Sequence, residues 1–156
     1  MSKQTDPILA IGEVRGLLRG FEWFNTRVNY GPTYTFERLA PHASLDEALN
    51  CYFDGDTQEI QLTPMGNWQT EVRSVLAQWL FAYCDSGLPP GVGAVGDSRS
   101  QDEQLDHFME LFQGTLRPRA VWKVDVKLDS FYELLWDDLV FECASGAYFL
   151  HLGMSD

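Results

Sequence analysis

The sequence predicts one α+β domain over residues 1–156, an antiparallel sheet with a C-terminal hairpin packed against two or three helices. Three observations carry that expectation. Residues 68–84 place Trp68, Val72, Val75, Leu76, Trp79, Leu80 and Tyr83 on one stripe at helical spacing. Residues 122–128 alternate Trp122, Val124, Val126 and Leu128 with Lys123, Asp125 and Lys127, the period of a half-buried strand. Two apolar runs, 139–143 and 147–152, flank Ser145-Gly146 as the arms of a tight hairpin.

Taken in order, Ile8, Ile11, Val14, Leu17, Leu18 and Phe21 predict a helix over 8–24, with Pro7 suited to its first turn. Gly12, Gly16 and Gly20 fall on one side of it, a side small enough for another element to pack closely. Residues 26–42 read as short extended pieces about a Gly31-Pro32 turn. Residues 48–53 and 58–63 flank Asp54-Gly55 and read as a β-hairpin. The competing reading is a short helix at 44–50, because Ser44 and Glu47 have capping-box spacing. Asn67 is the expected N-cap of the 68–84 helix and Gly87 its end. A Gly- and Pro-rich loop follows at 85–99, then a helix over 101–113 capped by Ser100 and Glu103 and closed by Gly114. Its buried face is Leu105, Phe108, Met109 and Phe112. Residues 129–136 read as a helical turn between the last strands.

Charge is the most informative total. Eleven Lys and Arg stand against 23 Asp and Glu, a net of −12. Such a field repels phosphodiester chains and anionic lipid, so neither nucleic acid nor a membrane surface is an expected partner. A basic protein is, because complementary charge speeds encounter and selects partners. The plain alternative is that the acids serve solubility alone. Cys51, Cys84 and Cys143 are odd in number and widely spaced, which predicts reduced thiols in a cytoplasmic protein. Charged residues interrupt any apolar run in the first 20 positions, so a secretory signal is not expected.

Motifs that would carry chemistry lack their context. Gly91-Val92-Gly93-Ala94-Val95-Gly96 matches G-x-G-x-x-G, but a helix precedes it and the next helix opens several residues late. A dinucleotide site needs a strand before the glycines and a helix at the third. Asp54, Asp56 and Glu59 fail the calcium-loop pattern, where Gly is required at the sixth position and Glu at the twelfth. His42, His107 and His151 are far apart and form no short metal-ligand pattern. A Cys143–His151 nucleophile pair across the hairpin is conceivable from position, but the surroundings of Cys143 read as sheet interior. The sequence therefore predicts no catalytic residue, no cofactor and no metal: a binding protein rather than an enzyme.

The stretch Leu135-Trp136-Asp137-Asp138-Leu139-Val140-Phe141-Glu142, followed by Ala147-Tyr148-Phe149-Leu150-His151-Leu152-Gly153-Met154-Ser155-Asp156, resembles the final hairpin of bacterial immunity proteins that protect against polymorphic or contact-dependent growth inhibition toxins. The likeness covers about 20 of 156 residues. It implies a small cytoplasmic antitoxin that binds and blocks one cognate toxin domain, such as a basic nuclease. The alternative is a small enzyme or ligand-binding protein that uses the 88–98 loop as a lid. Residues 97–156 hold 12 acids and five bases, a net of −7. The expected partner-binding residues are Asp102, Glu103, Asp106, Asp129, Glu133, Asp137 and Asp138, with the 88–98 loop as a rim. Glu142 stands apart from that set, because it shares a strand with core positions.

Overall fold

The computed structural model describes residues 6–26, 31–82 and 98–155. A five-stranded antiparallel sheet forms the centre, in the order β1-β5-β4-β3-β2. Its strands are β1 (Gly31–Arg38), β2 (Thr57–Pro64), β3 (Ala120–Leu128), β4 (Leu135–Cys143) and β5 (Gly146–Ser155). The described helices are α1 (Pro7–Asn25), α2 (Leu45–Tyr52), α3 (Trp68–Ala77) and α4 (Ser98–Glu110). Both α3 and α4 run on into π-helical turns, Gln78–Ala82 and Leu111–Leu116. No described helix is long and apolar enough to cross a membrane.

The two-residue side-chain period of the strands sorts the core into two layers. Leu139, Phe141 and Cys143 of β4 join Tyr148, Leu150 and Leu152 of β5 under α1, α3 and α4. There Phe112 stacks on Phe141 with centroids 4.8 Å apart, and Phe36 stacks on Tyr148 at 5.7 Å. The alternate residues Val140 and Phe149 pack on the other face against Ala48 and Leu49 of α2. Burying each such side chain contributes roughly 1.5–3 kcal/mol.

Strand β1 is a sheet edge, and α1 covers its open backbone groups. Glu22 accepts from the Tyr34 amide at 3.0 Å, and Arg15 donates to the Phe36 carbonyl at 2.7 Å. These two bonds occupy part of the open edge, and covering an edge in this way hinders its pairing with a second chain. Helix α1 has Pro7 in its first turn, as its sequence predicts, and Asp6, which the sequence reading did not single out, caps the Ile8 amide.

Several elements differ from expectation. Residues 48–52 belong to α2, with Phe53 at its C-cap, and β2 pairs with β3 instead. Ser44 accepts from the Glu47 amide while Glu47 accepts from the Ala43 amide, so the capping signal prevails. Asp54 and Gly55 still make a left-handed turn (φ 53° and 76°), but as the helix exit, where the Gly55 amide bonds the Asn50 carbonyl. Gly31 and Pro32 lie inside β1, which is one strand rather than pieces about a turn. Gly12, Gly16 and Gly20 are exposed, with nothing among the described residues within 4 Å of the place a Cβ would take, so no described element packs closely on that side. Gly114 lies inside the π-helical turn, and the helix ends only at Arg117, whose φ of 48° reverses the chain. Asn67 caps α3 by position alone; its amide bonds Glu71. Residues 129–134 are an irregular loop, not a helical turn. Tyr83, Cys84, Gly87 and the glycine motif lie outside the described residues.

Candidate partner-binding surface at the β3–β4 loop

The loop 129–134 is held at three levels. At its start Gln58 donates to the Asp129 carboxylate, the Ser130 hydroxyl donates to Asp56, and the Asp129 amide bonds the Asp56 carbonyl at 2.9 Å. At its end the Leu134 amide bonds the Met154 carbonyl at 3.1 Å, and Ser155 donates to Glu133. Between these, Tyr132 turns inward and packs edge-on against Phe53 at 5.5 Å and Trp136 at 5.2 Å.

Tyr132 ends on a buried polar group. Its hydroxyl donates to Asp138 Oδ2 at 2.9 Å and lies 2.9 Å from His151 Nδ1. His151 Nδ1 also meets Asp138 Oδ1 at 2.6 Å, so the carboxylate fixes the imidazole proton on Nδ1. Asp138 has 0% exposure and His151 5%. Burial raises the Asp138 carboxyl above its ordinary value, with the His151 hydrogen bond opposing it. Burial likewise raises the Tyr132 phenol, and the Asp138 charge adds to it. The Tyr132 hydroxyl, both Asp138 oxygens and His151 Nδ1 all have partners within this trio, and a satisfied buried polar network rigidifies a fold.

His151 Nε2 is turned onto the backbone of Gly153. A Cβ on Gly153 would stand 2.4 Å from it and 3.1 Å from the Glu133 side chain, so only glycine fits. Glu133 Oε1 lies 3.7 Å from the same nitrogen. The atom that a histidine base would offer a substrate is thus covered by the chain's own groups.

Held in this way, the loop projects its apolar side chains outward. Phe131 is 73% exposed and Leu134 54%, and Leu135 at the start of β4 is also exposed. Exposed Asp54 and Asp129 and half-buried Asp56 belong to the same corner of the sheet. None of the three carries an ion pair among the described residues. An apolar anchor beside uncancelled charge is the composition of an interface centre and its rim.

The expected partner-binding acids divide into three groups. Asp102, Glu103 and Asp106 are exposed on α4, but Arg73 bridges Asp102 and Asp106 at 3.1 and 2.9 Å, and Arg99 pairs with Glu103 at 3.1 Å. Asp129 is exposed on the loop. The rest are taken inward. Asp138 is fully buried and offers no surface to a partner, which corrects the reading of it as an exposed acid. Glu133 is almost covered, and half-buried Asp137 accepts from the Trp79 indole at 2.8 Å, joining β4 to the π-helical turn after α3. Glu142 accepts from the Trp122 indole at 2.5 Å. Cys143 and His151 do not meet: Cys143 lies in the helix-side core, while His151 bonds Asp138 on the other face.

Sequence reasoning missed Phe131, Tyr132 and the Asp138–His151 pair. The signal for the pair was present. A tight turn before Gly146 fixes the hairpin register, and Cys143 opposite Gly146 puts Asp138 opposite His151. Comparison with family models, curated proteins and solved structures finds no match for this chain.

Proposed function

We propose that this chain is an immunity protein that neutralises a cognate, basic toxin domain, such as a nuclease, by binding it through the β3–β4 loop and the acids beside it. The observation that carries the reading is Phe131, an aromatic side chain 73% exposed on a loop that a buried Tyr132–Asp138–His151 group holds in one shape. Ordering a loop on binding consumes affinity, and a loop already ordered avoids that loss. The net charge of −12 supports a basic partner, and the likeness of residues 135–156 to immunity-protein hairpins supports a toxin as that partner. Covered His151 Nε2 suits the structural role of that trio better than a catalytic one.

The test is growth rescue. Cells making the toxin domain encoded beside this chain's gene should survive when the chain is co-expressed and die when it is absent. Rescue should fail with Phe131→Asp at unchanged protein level. A neighbouring gene with no toxic product, or rescue untouched by that substitution, would contradict the reading.

A further inference from the structure

A second feature lies at the opposite end of the β4–β5 hairpin and owes nothing to the binding loop. A cleft of about 430 Å³ opens between the hairpin turn, the β1–α2 connection and the start of β3. Its walls carry Arg38 and Arg119, two of only 11 basic residues in an acidic chain, together with His42 and Ser44. We propose that this cleft binds a phosphate group.

The cleft brings two arginines to one site. Elsewhere Arg73 and Arg99 are joined to carboxylates of α4. Arg38 and Arg119 form no ion pair among the described residues. Arg38 is already placed: Nη2 donates to the Ser145 carbonyl at 2.6 Å, and its plane lies on Gly146. A Cβ there would stand 2.9 Å from Nε, and the φ of 131° excludes other residues in any case. One of the five guanidinium donors is used in this way, which leaves the rest of a fixed fork for an oxyanion. The Glu142 carboxylate also lines the cleft, but its Oε1 is occupied by the Trp122 indole at 2.5 Å.

Two cations favour a dianion over a single carboxylate, and the small, local size of the site suits one phosphate rather than a nucleic-acid backbone. The surrounding negative field lowers the affinity without abolishing it, since short-range charge-assisted hydrogen bonds outweigh distant screened charges. The site involves no residue of the β3–β4 loop, so its failure leaves the immunity reading intact, and the reverse also holds.

Calorimetry of the purified chain with inorganic phosphate, and with acetate at matched ionic strength, tests it. Phosphate should bind with one site and acetate at least about tenfold more weakly. Arg119→Gln should weaken phosphate binding by about tenfold or more, the worth of one charge-assisted hydrogen bond. That exposed side chain makes no hydrogen bond or ion pair among the described residues, so the variant should remain folded. Arg38→Gln should weaken binding as strongly, with circular dichroism as the check on its fold. Absence of phosphate binding, equal binding of acetate, or phosphate binding unchanged in Arg119→Gln would overturn the proposal.

Discussion

The acidic face of α4 and the β3–β4 loop both present carboxylates, and they differ in what those carboxylates are joined to. On α4, Asp102, Asp106 and Glu103 are bridged by Arg73 and Arg99, so most of the charge is cancelled locally. At the loop, Asp129 and Asp56 accept from Gln58 and Ser130, neutral donors that hold the carboxylates in place and leave their charge outward. The α4 acids stand without an exposed apolar neighbour on their own helix, whereas the loop carries Phe131 and Leu134. Charge counted along the chain therefore does not locate a binding surface. A surface that attracts a cation must keep its charge, and one that retains a partner needs apolar area to desolvate.

The comparison breaks most visibly in stability. Asp138→Ala strands His151 and Tyr132 as buried polar groups without their partner, and should lose about 3–5 kcal/mol in urea unfolding. Asp102→Ala, at an exposed ion pair, should change stability by less than about 1 kcal/mol. Equal effects would mean that the loop's support is no stronger than a surface contact.

A smaller effect is expected in binding. Phe131→Ala should leave unfolding within about 0.5 kcal/mol of the wild type, as exposed positions do. It should cost about 2 kcal/mol or more in affinity for the toxin domain, measured by calorimetry. Asp54→Lys with Asp129→Lys should slow association about tenfold at low salt and flatten its salt dependence. Asp102→Lys with Asp106→Lys should slow it less, because Arg73 already offsets those acids. Stopped-flow mixing at two ionic strengths separates the pairs, and a larger effect from the α4 pair would reverse the assignment.

The smallest effect is in pH dependence. Burial raises the carboxyl of Asp138 in the folded chain. The folded state then holds that proton more tightly than the unfolded state. Its contribution to stability is complete below about pH 3.9 and declines as pH rises through the folded value. Wild type should therefore lose ground to Asp138→Asn as pH rises above about 4. Unfolding curves at stepped pH check the sign, and a gap moving the other way would show that the His151 contact outweighs burial.

How much of this was legible in the sequence depended on whether the signal was local. The apolar spacing of α1 with Pro7 in its first turn, the alternation of β3 and the closing hairpin are local signals, and all three are present. The 48–53 segment was misread because Asp54-Gly55 signals a turn without saying what enters it; the Ser44–Glu47 capping box supplied that information. The glycines of α1 suggested close packing, yet a small face permits a neighbour without requiring one. Asp138 was grouped with Asp137 as surface charge, although adjacent residues on a strand point to opposite faces and only one could be outward. Phe131 carried no pattern, since a loop residue's exposure is set by what anchors its neighbours, here Asp56 and Gln58 from one stretch of chain and His151 from another.

Hydrogen exchange of the chain alone and in complex with the toxin domain tests the central claim most directly, because it maps the covered surface without a substitution. Binding at the β3–β4 loop predicts added protection of the amides at 129–135 and 54–58, with those of 98–110 unchanged. Protection confined to 98–110 would place the partner on α4 and contradict the account.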